Sequence, residues 1–300
     1  MKIKVEKAIT LMEYLRELYP DSPRTRIKKL LQGETVRVND KPVTYFATPL
    51  KPGDIVEVNR QAGNAARAGL PFPVLYEDGY VIVVDKPPGR PTSSTDGSLS
   101  IQNIVSEFLE RQSKGKFRAH VVHRLDKDTS GIIVVARNKA DAELLAEYFK
   151  NKDENLEKIY LAIVVGKFTN NEGVVNIPLI KKVENGVEKV YKDLRDGKEA
   201  VTLYKVLSYS EKYNISLVEL KILTGRTHQI RVHMKEIGHP ILGDGKYGGK
   251  KAFVEGLEGG MKLHSYRLNI ADFHGRNTNL KADLPEDMKK ILRKARISFN

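Results

Sequence analysis

The sequence predicts an α+β fold, in which a mixed, largely antiparallel sheet is flanked by helices and preceded by a small α/β domain. The chain has 300 residues, which is too long for one ordinary small domain and suits two. Strand-sized apolar runs and helical apolar faces follow one another without a strict strand–helix–strand rhythm. A stretch of small residues without periodicity separates the two parts. We therefore divide the chain into residues 1–60, a linker at 61–71 and residues 72–300.

The first sixty residues carry the signals of two helices followed by short strands. Leu11, Leu15 and Leu18 have helical spacing, and Ser22-Pro23 is typical of a helix start. Residues 35–38 then alternate as a strand does. The second helix and this strand carry five cations, Arg24, Arg26, Lys28, Lys29 and Arg37.

The remainder alternates strands and helices. A helix after Asn138 is predicted to face inward through Leu144, Leu145 and Tyr148, and Thr227 is predicted to cap a second, short helix. The other predicted elements are a strand at 80–84, a helix at 101–109, strands at 131–136 and 158–165, a strand pair at 201–207 and 215–223, and a last helix near 285.

Charge and composition limit the function. Lys and Arg total 51 against 38 Asp and Glu, a net charge of +13 that favours a polyanionic partner such as RNA. The chain has no cysteine, which excludes disulfides and thiolate chemistry and suits a reducing cytoplasm. No signal peptide, membrane-spanning run, metal-binding spacing or phosphate-cradling glycine motif is recognisable. We expect no metal, no bound cofactor, no membrane association and no evident protein partner.

The segment from His123 to Gly131 has the most informative charge pattern. Asp126 is the only acid between Arg111 and Lys127, among seven basic residues. A carboxylate in that setting is expected to stay ionised, because opposite charges favour its charged form, and can then act as a nucleophile or base. The surrounding cations can hold the phosphates on either side of a reacting nucleotide. The alternative is an ordinary surface loop with ion pairs.

Three further segments are candidates for function. Residues 224–233 join a glycine turn to a helix start, where Arg231 can pair with a buried carboxylate. Tyr160 offers a flat face and a phenol in an aliphatic strand, although core packing is the commoner explanation. Lys86 ends a strand at a rigid Pro-Pro-Gly turn and is predicted to be exposed and to contact phosphate, a simple turn being the alternative.

Together these segments resemble the RluA-type pseudouridine synthases, including the ribosomal large-subunit enzymes, in order along the chain. The matching motifs are Val84-Asp85-Lys86-Pro87-Pro88-Gly89, His123-Arg124-Leu125-Asp126 through Gly131, Lys158-Ile159-Tyr160, Gly225 through Met234, Gly238 through Asp244, and Leu263-His264. The resemblance implies an isomerase that converts uridine in RNA to pseudouridine without a cofactor. Residues 1–60 resemble the α-L RNA-binding module of a small-subunit ribosomal protein.

The resemblance also implies roles for individual residues. Asp126 matches the catalytic aspartate, Arg231 its basic partner, and Tyr160 the tyrosine that packs on the base. Arg124 matches the arginine that fills the space of a flipped base, and Ile230 an apolar wall beneath it. The remaining substrate-binding candidates are His123, Lys86, Lys158, His228 and Gln229. Ser265 is a departure, because relatives often have alanine after Leu-His.

Large-subunit ribosomal RNA is the expected substrate, with transfer RNA as the second possibility. Two other classes compete: an inactive RNA-binding or assembly factor on the same fold, and a glycoside hydrolase using Asp126 and Asp128. Residues two apart on a turn rarely converge, and the basic setting disfavours a protonated acid, so the glycosidase is the weaker rival.

Overall fold

The structure is a computed structural model that describes residues 2–19, 36–39, 41–43, 45–58, 70–94, 99–150, 156–184, 186–271 and 277–299. The predicted basic helix with Arg24, Arg26, Lys28 and Lys29 lies outside these residues. So does almost all of the predicted linker, and the division at 61–71 stays a prediction.

The first part of the chain forms a small domain-like unit with its own core. Helix α1 spans Leu11–Leu18 and begins at a capping box, in which Thr10 and Glu13 satisfy each other's backbone N–H groups. Its apolar face, Leu11 and Leu15 included, packs on Val36 and Val56 of the strands. The strands are β1 (Lys2–Lys4), β2 (Ile9–Thr10), β3 (Val36–Val38), β4 (Lys41–Pro42), β5 (Pro49–Leu50) and β6 (Ile55–Val58).

A ten-stranded mixed sheet dominates the rest of the described chain. Its order is β12-β15-β16-β11-β17-β10-β8-β7, with β18 on β17 and β9 on β10. The strands are β7 (Val74–Glu77), β8 (Val81–Lys86), β9 (His120–Val121), β10 (Ser130–Ala136), β11 (Glu157–Val165), β12 (Glu172–Asn176), β15 (Val201–Ser210), β16 (Ile215–Ile222), β17 (Leu263–Ala271) and β18 (Asn277–Lys281), and a separate hairpin is formed by β13 (Leu179–Glu184) and β14 (Val187–Lys192). Among the described pairings of this sheet only β10 with β17 is parallel, so the predicted largely antiparallel α+β fold is confirmed.

Within the described residues, four helices flank the sheet. They are α2 (Ile101–Ser113), α3 (Lys139–Lys150), α4 (Gln229–Glu236) and α5 (Glu286–Lys294). Asn138 accepts the backbone N–H of Asp141, so the predicted start of α3 is confirmed. The prediction that Leu144 faces inward is wrong. Its side chain is 63% exposed, while Leu145 next to it is buried. None of the described helices is long and apolar enough to cross a membrane.

The parallel pairing of β10 with β17 brings the loop before β10 close to β11. Gly131 has φ of +105°, and a Cβ there would lie 2.2 Å from the carbonyl oxygen of Ser265. Only glycine tolerates both the backbone conformation and this contact. The close approach of these two strands therefore depends on this glycine.

Gly131→Ala is expected to destabilise the chain by about 3 kcal/mol or more, since backbone must move to accept the methyl group. Chemical denaturation would measure the change. Gly79→Ala is the matched control, because a Cβ there would meet nothing within 4 Å. Equal stability of the two variants would contradict this reading of the strand contact.

Candidate active site

Asp126 lies in the loop between β9 and β10, and buried side chains fasten the backbone on both sides of it. Thr92 Oγ1 donates to the carbonyl of Leu125 at 2.8 Å and accepts the Leu125 N–H at 3.1 Å. The ammonium of Lys86 donates to the carbonyl of Lys127 at 2.8 Å. Because the residues directly before and after Asp126 are held, its carboxylate is presented from a fixed backbone.

The prediction that Lys86 is exposed is wrong. Strand β8 continues through Lys86, whose side chain is 0% exposed. Its ammonium is used by the carbonyls of Pro87, at 3.1 Å, and of Lys127. The residue supports the Asp126 loop from beneath, and its amine is not placed to reach a phosphate.

Burial lowers the pKa of Lys86 to about 8, against the opposing charges of Asp128 and Asp126. Above that pH the folded chain has lost a proton that the unfolded chain still holds, so stability rises with pH. The difference in unfolding free energy between the wild type and Lys86→Met is expected to change in favour of the wild type by about 1–2 kcal/mol between about pH 8 and pH 9.5. Urea titrations at several pH values measure it. A pH-independent difference would show that Lys86 does not titrate there.

Arg231 bridges two carboxylates. Its Nη1 donates to Oδ2 of Asp126 at 3.1 Å, while Nε and Nη2 donate to the two oxygens of Asp244 at 2.8 Å and 2.9 Å. Asp244 is 2% exposed and Arg231 8%, whereas the Asp126 side chain is 22% exposed. The guanidinium is therefore oriented by the buried carboxylate and reaches the accessible one with its remaining edge.

Arg231 stays protonated in this buried position. Burial opposes the protonated form, but the hydrogen bonds and charge of Asp244, and then those of Asp126, outweigh it and raise the pKa of Arg231. A permanently charged guanidinium therefore faces the Asp126 carboxylate.

His228 approaches the same carboxylate from the start of α4. Its Nε2 lies 3.9 Å from Oδ2 of Asp126. Thr227 was predicted to cap α4 and does not. The N-cap is His228 itself, with φ of +54° and no capping side-chain hydrogen bond. The turn is closed instead by Gln229, whose Oε1 accepts the Arg226 N–H at 3.0 Å.

Tyr160 lies on β11 opposite Ser265 of β17, beside a bulge in their pairing. Burial raises the pKa of Tyr160, a hydrogen bond with Ser265 opposes this, and the charge of Asp126 adds to it. The phenol is therefore neutral at ordinary pH, and it lies close enough to Asp126 for that charge to affect its pKa. Ser265 contributes a partner for this hydroxyl.

These groups lie along a cleft of about 1070 Å³, enough for an unstacked nucleotide and its neighbours. Its lining includes Asp126, Tyr160 and His228, with Arg124 and Lys158 on the same surface. Arg124 is exposed, and its guanidinium makes no hydrogen bond or ion pair within the described residues. Cations therefore border the cleft where RNA phosphates would pass.

His123 and Lys158 form one end of the cleft with Phe149. The His123 ring stacks on Phe149, with centroids 4.6 Å apart, and its Nε2 accepts the Val134 N–H at 3.0 Å. The Lys158 ammonium lies 5.3 Å from the same Phe149 ring. Burial lowers the pKa of His123 to about 3 and also lowers that of Lys158. His123 is therefore a neutral, half-buried wall of the cleft.

The structure does not bring every predicted site residue to the cleft. Ile230 is 5% exposed and belongs to the same buried core cluster as Tyr160. Gln229 is buried, and its amide is fully used by Thr224, Arg226, Val201 and Thr202. Arg37 is exposed on β3.

Sequence reasoning assigned no role to two residues of this site. Asp244 orients Arg231, and Tyr247 lies with its ring 5.0 Å from the Arg231 guanidinium. Tyr247 also shares a hydrogen bond with His228, 2.5 Å between Oη and Nδ1. Asp244 is the last residue of the Gly238–Asp244 motif, and membership of that motif was the one sequence signal that could have pointed to it.

The chain is similar in sequence and in fold to known RNA pseudouridine synthases. The profile of the RNA pseudouridylate synthase family matches residues 80–236. A ribosomal large subunit pseudouridine synthase D from Borreliella burgdorferi is 38% identical over 281 residues, covering 88% of this chain and 83% of that protein. An uncharacterized RNA pseudouridine synthase from Aquifex aeolicus is 35% identical over 262 residues, covering 85% and 82%. The solved structure of human RNA pseudouridylate synthase domain containing 4 superposes with a TM-score of 0.63 at 29% identity, covering 75% of this chain and 94% of that one.

Fold, cleft and comparisons together define an RNA-modifying isomerase. The chain belongs to the RNA pseudouridylate synthase family. Its activity is the conversion of uridine in RNA to pseudouridine, and the alternative of an inactive RNA-binding factor is not favoured.

Proposed function

We propose that this enzyme modifies uridines of large-subunit ribosomal RNA and that Asp126 carries the reaction. The observation on which this rests is the partly exposed Asp126 carboxylate, paired with buried Arg231 beside Tyr160 in a nucleotide-sized cleft. The rRNA assignment is supported by relatives whose names specify the ribosomal large subunit. The net charge of +13 suits a large RNA.

The reaction breaks the bond between N1 of uracil and C1′ of ribose and forms one between C5 and C1′. The proton on C5 is lost and N1 gains one, so no electrons or groups are exchanged. Asp126 either adds to the base or assists cleavage at C1′; both roles need an ionised carboxylate. Arg231 orients that carboxylate through its hydrogen bond to Oδ2.

The remaining residues handle the base. A uridine stacked in RNA is out of reach, so it must be flipped at a cost of about a few kcal/mol. Arg124 is free at the cleft rim to fill the vacated space, because a planar guanidinium both stacks and hydrogen-bonds. Tyr160, which shares a core cluster with Ile230, packs on the base and moves a proton. The enclosed wall keeps the detached uracil from escaping.

Residues 1–60 are proposed as a separate RNA-binding module, with Arg24, Arg26, Lys28, Lys29 and Arg37 as its contacts, and 72–300 as the catalytic domain. A module of this kind adds affinity for RNA outside the reacting nucleotide. The absence of cysteine from the sequence fits work in the cytoplasm, where ribosomes are assembled.

The substrate is tested by mapping pseudouridines in total RNA from cells with and without this gene. The proposal expects one or a few positions of large-subunit rRNA to lose pseudouridine, and a copy of the gene with Asp126→Asn not to restore them. Loss of pseudouridine from transfer RNA alone would contradict the rRNA assignment but would leave the pseudouridine synthase activity standing. Unchanged RNA of both kinds would contradict the proposal.

A further inference from the structure

A chain of polar contacts leads from the β13–β14 hairpin to Asp126. The backbone N–H of Val190, on β14, donates to Oη of Tyr247 at 3.1 Å. Oη of Tyr247 lies 2.5 Å from Nδ1 of His228. Nε2 on the other side of that imidazole lies 3.9 Å from Oδ2 of Asp126. The hairpin wall of the cleft is thus connected through two side chains to the carboxylate.

The contacts of Tyr247 favour one of the two tautomers of His228. A phenol has one hydrogen to donate, and its oxygen already accepts the Val190 N–H. Donation to Nδ1 of His228 uses that hydrogen and makes Nδ1 an acceptor. Burial lowers the pKa of His228, so the imidazole is neutral, and with Nδ1 as the acceptor its one proton is on Nε2, the nitrogen that faces Asp126.

Two donors then face one oxygen of the carboxylate. Nη1 of Arg231 and Nε2 of His228 both approach Oδ2 of Asp126, at 3.1 Å and 3.9 Å. Oδ1 makes no hydrogen bond within the described residues. A carboxylate held through one oxygen presents the other to a bound nucleotide. The longer of the two distances exceeds a hydrogen bond and is of the kind that shortens when substrate fills a site.

We propose that Tyr247 is a positioning residue, which fixes His228 as an Nε2–H donor to Oδ2 of Asp126 and so directs Oδ1 at the substrate. Its ring lies against Arg231, 5.0 Å from the guanidinium, so the same side chain contacts both groups that orient the carboxylate. The Val190 contact makes this orientation depend on the docked position of the hairpin. The inference rests on the proposed role of Asp126.

The first test reads the tautomer directly in the wild-type chain. Two-bond ¹H–¹⁵N NMR spectra of the protein labelled with ¹⁵N-histidine distinguish a protonated Nε2 from a protonated Nδ1, and His228→Gln assigns the signal by its loss. The proposal expects the proton of His228 on Nε2. A proton on Nδ1 would overturn it. The NMR measurement does not require the enzyme to turn over. It therefore tests the proposed role of Tyr247 even if the rRNA assignment fails.

The second test is kinetic. Tyr247→Phe keeps the ring against Arg231 and removes only the hydroxyl. It is expected to lower kcat for pseudouridine formation about tenfold with KM for RNA within twofold, since one hydrogen bond to the positioning group is lost. Tyr209→Phe is the matched control, because among the described residues its hydroxyl bonds only to Asn214, in an exposed turn. A kcat of Tyr247→Phe equal to that of the control, or a change in KM alone, would show that the hydroxyl does not position the reaction.

Discussion

Asp126→Asn is expected to lower the rate of pseudouridine formation by at least about a thousandfold, because an amide neither attacks carbon nor accepts a proton as a carboxylate does. RNA binding should remain, since the cations at the cleft rim are unchanged. Stability should change by less than about 1 kcal/mol, because the pair with Arg231 is partly exposed and Arg231 keeps Asp244. Single-turnover assays and RNA binding by filter retention measure the two properties on the same preparation.

The control for this variant lies two residues further along the same loop. Asp128 is exposed, and Asp128→Asn removes the same charge without touching Arg231. It is expected to retain activity, and its inactivity would revive a mechanism with two carboxylates. Normal turnover by Asp126→Asn would end the proposed mechanism altogether.

Arg231→Met is expected to lower the free energy of unfolding by about 3–5 kcal/mol, the cost of leaving a buried charge without its partner. Asp244 is 2% exposed and bonds the guanidinium through both oxygens, so the substitution leaves it facing Asp126 across an apolar side chain. Activity should be lost as well, because Asp126 loses the donor at its Oδ2. Denaturant unfolding followed by circular dichroism measures the stability.

Two further variants test the cause. Arg267→Met breaks the pair with Glu219, which is 3.5 Å long and about one-third exposed, and should cost less than about 1 kcal/mol. Combining Arg231→Met with Asp244→Asn removes the stranded charge, so the double variant should be more stable than Arg231→Met alone. A double variant that is less stable would show that packing, and not charge, accounts for the loss.

Local sequence patterns were sufficient to predict most strands of the sheet and most of the helices. The strand pair predicted at 201–207 and 215–223 is confirmed as β15 and β16, and the predicted helix after Asn138 is confirmed as α3. Periodicity reports such elements because one face of each is buried. It failed for Leu144, since a helix with apolar residues on adjacent positions does not show which of them meets the sheet. The β13–β14 hairpin was not predicted, because its strands are mostly exposed and carry no apolar alternation.

The sequence predicted those site residues that stand in a recognisable motif or an unusual charge pattern. Asp126 stood out by its charge surroundings, but its partner Arg231 lies 105 residues away and was assigned through the family resemblance. Lys86 was read as exposed because a sequence does not show that β8 continues under the Asp126 loop. Tyr247 was missed because its role exists only once β14, α4 and the segment after Asp244 meet in space.

The central claim is that the cleft around Asp126 isomerises uridine within RNA, and a mass balance on purified components tests it most directly. Unmodified large-subunit rRNA made in vitro is incubated with the wild-type protein, digested to nucleosides and quantified. The account predicts that pseudouridine appears in an amount equal to the uridine lost, with no free uracil. Free uracil in place of pseudouridine would reveal glycosidic cleavage without rejoining, and would contradict the account.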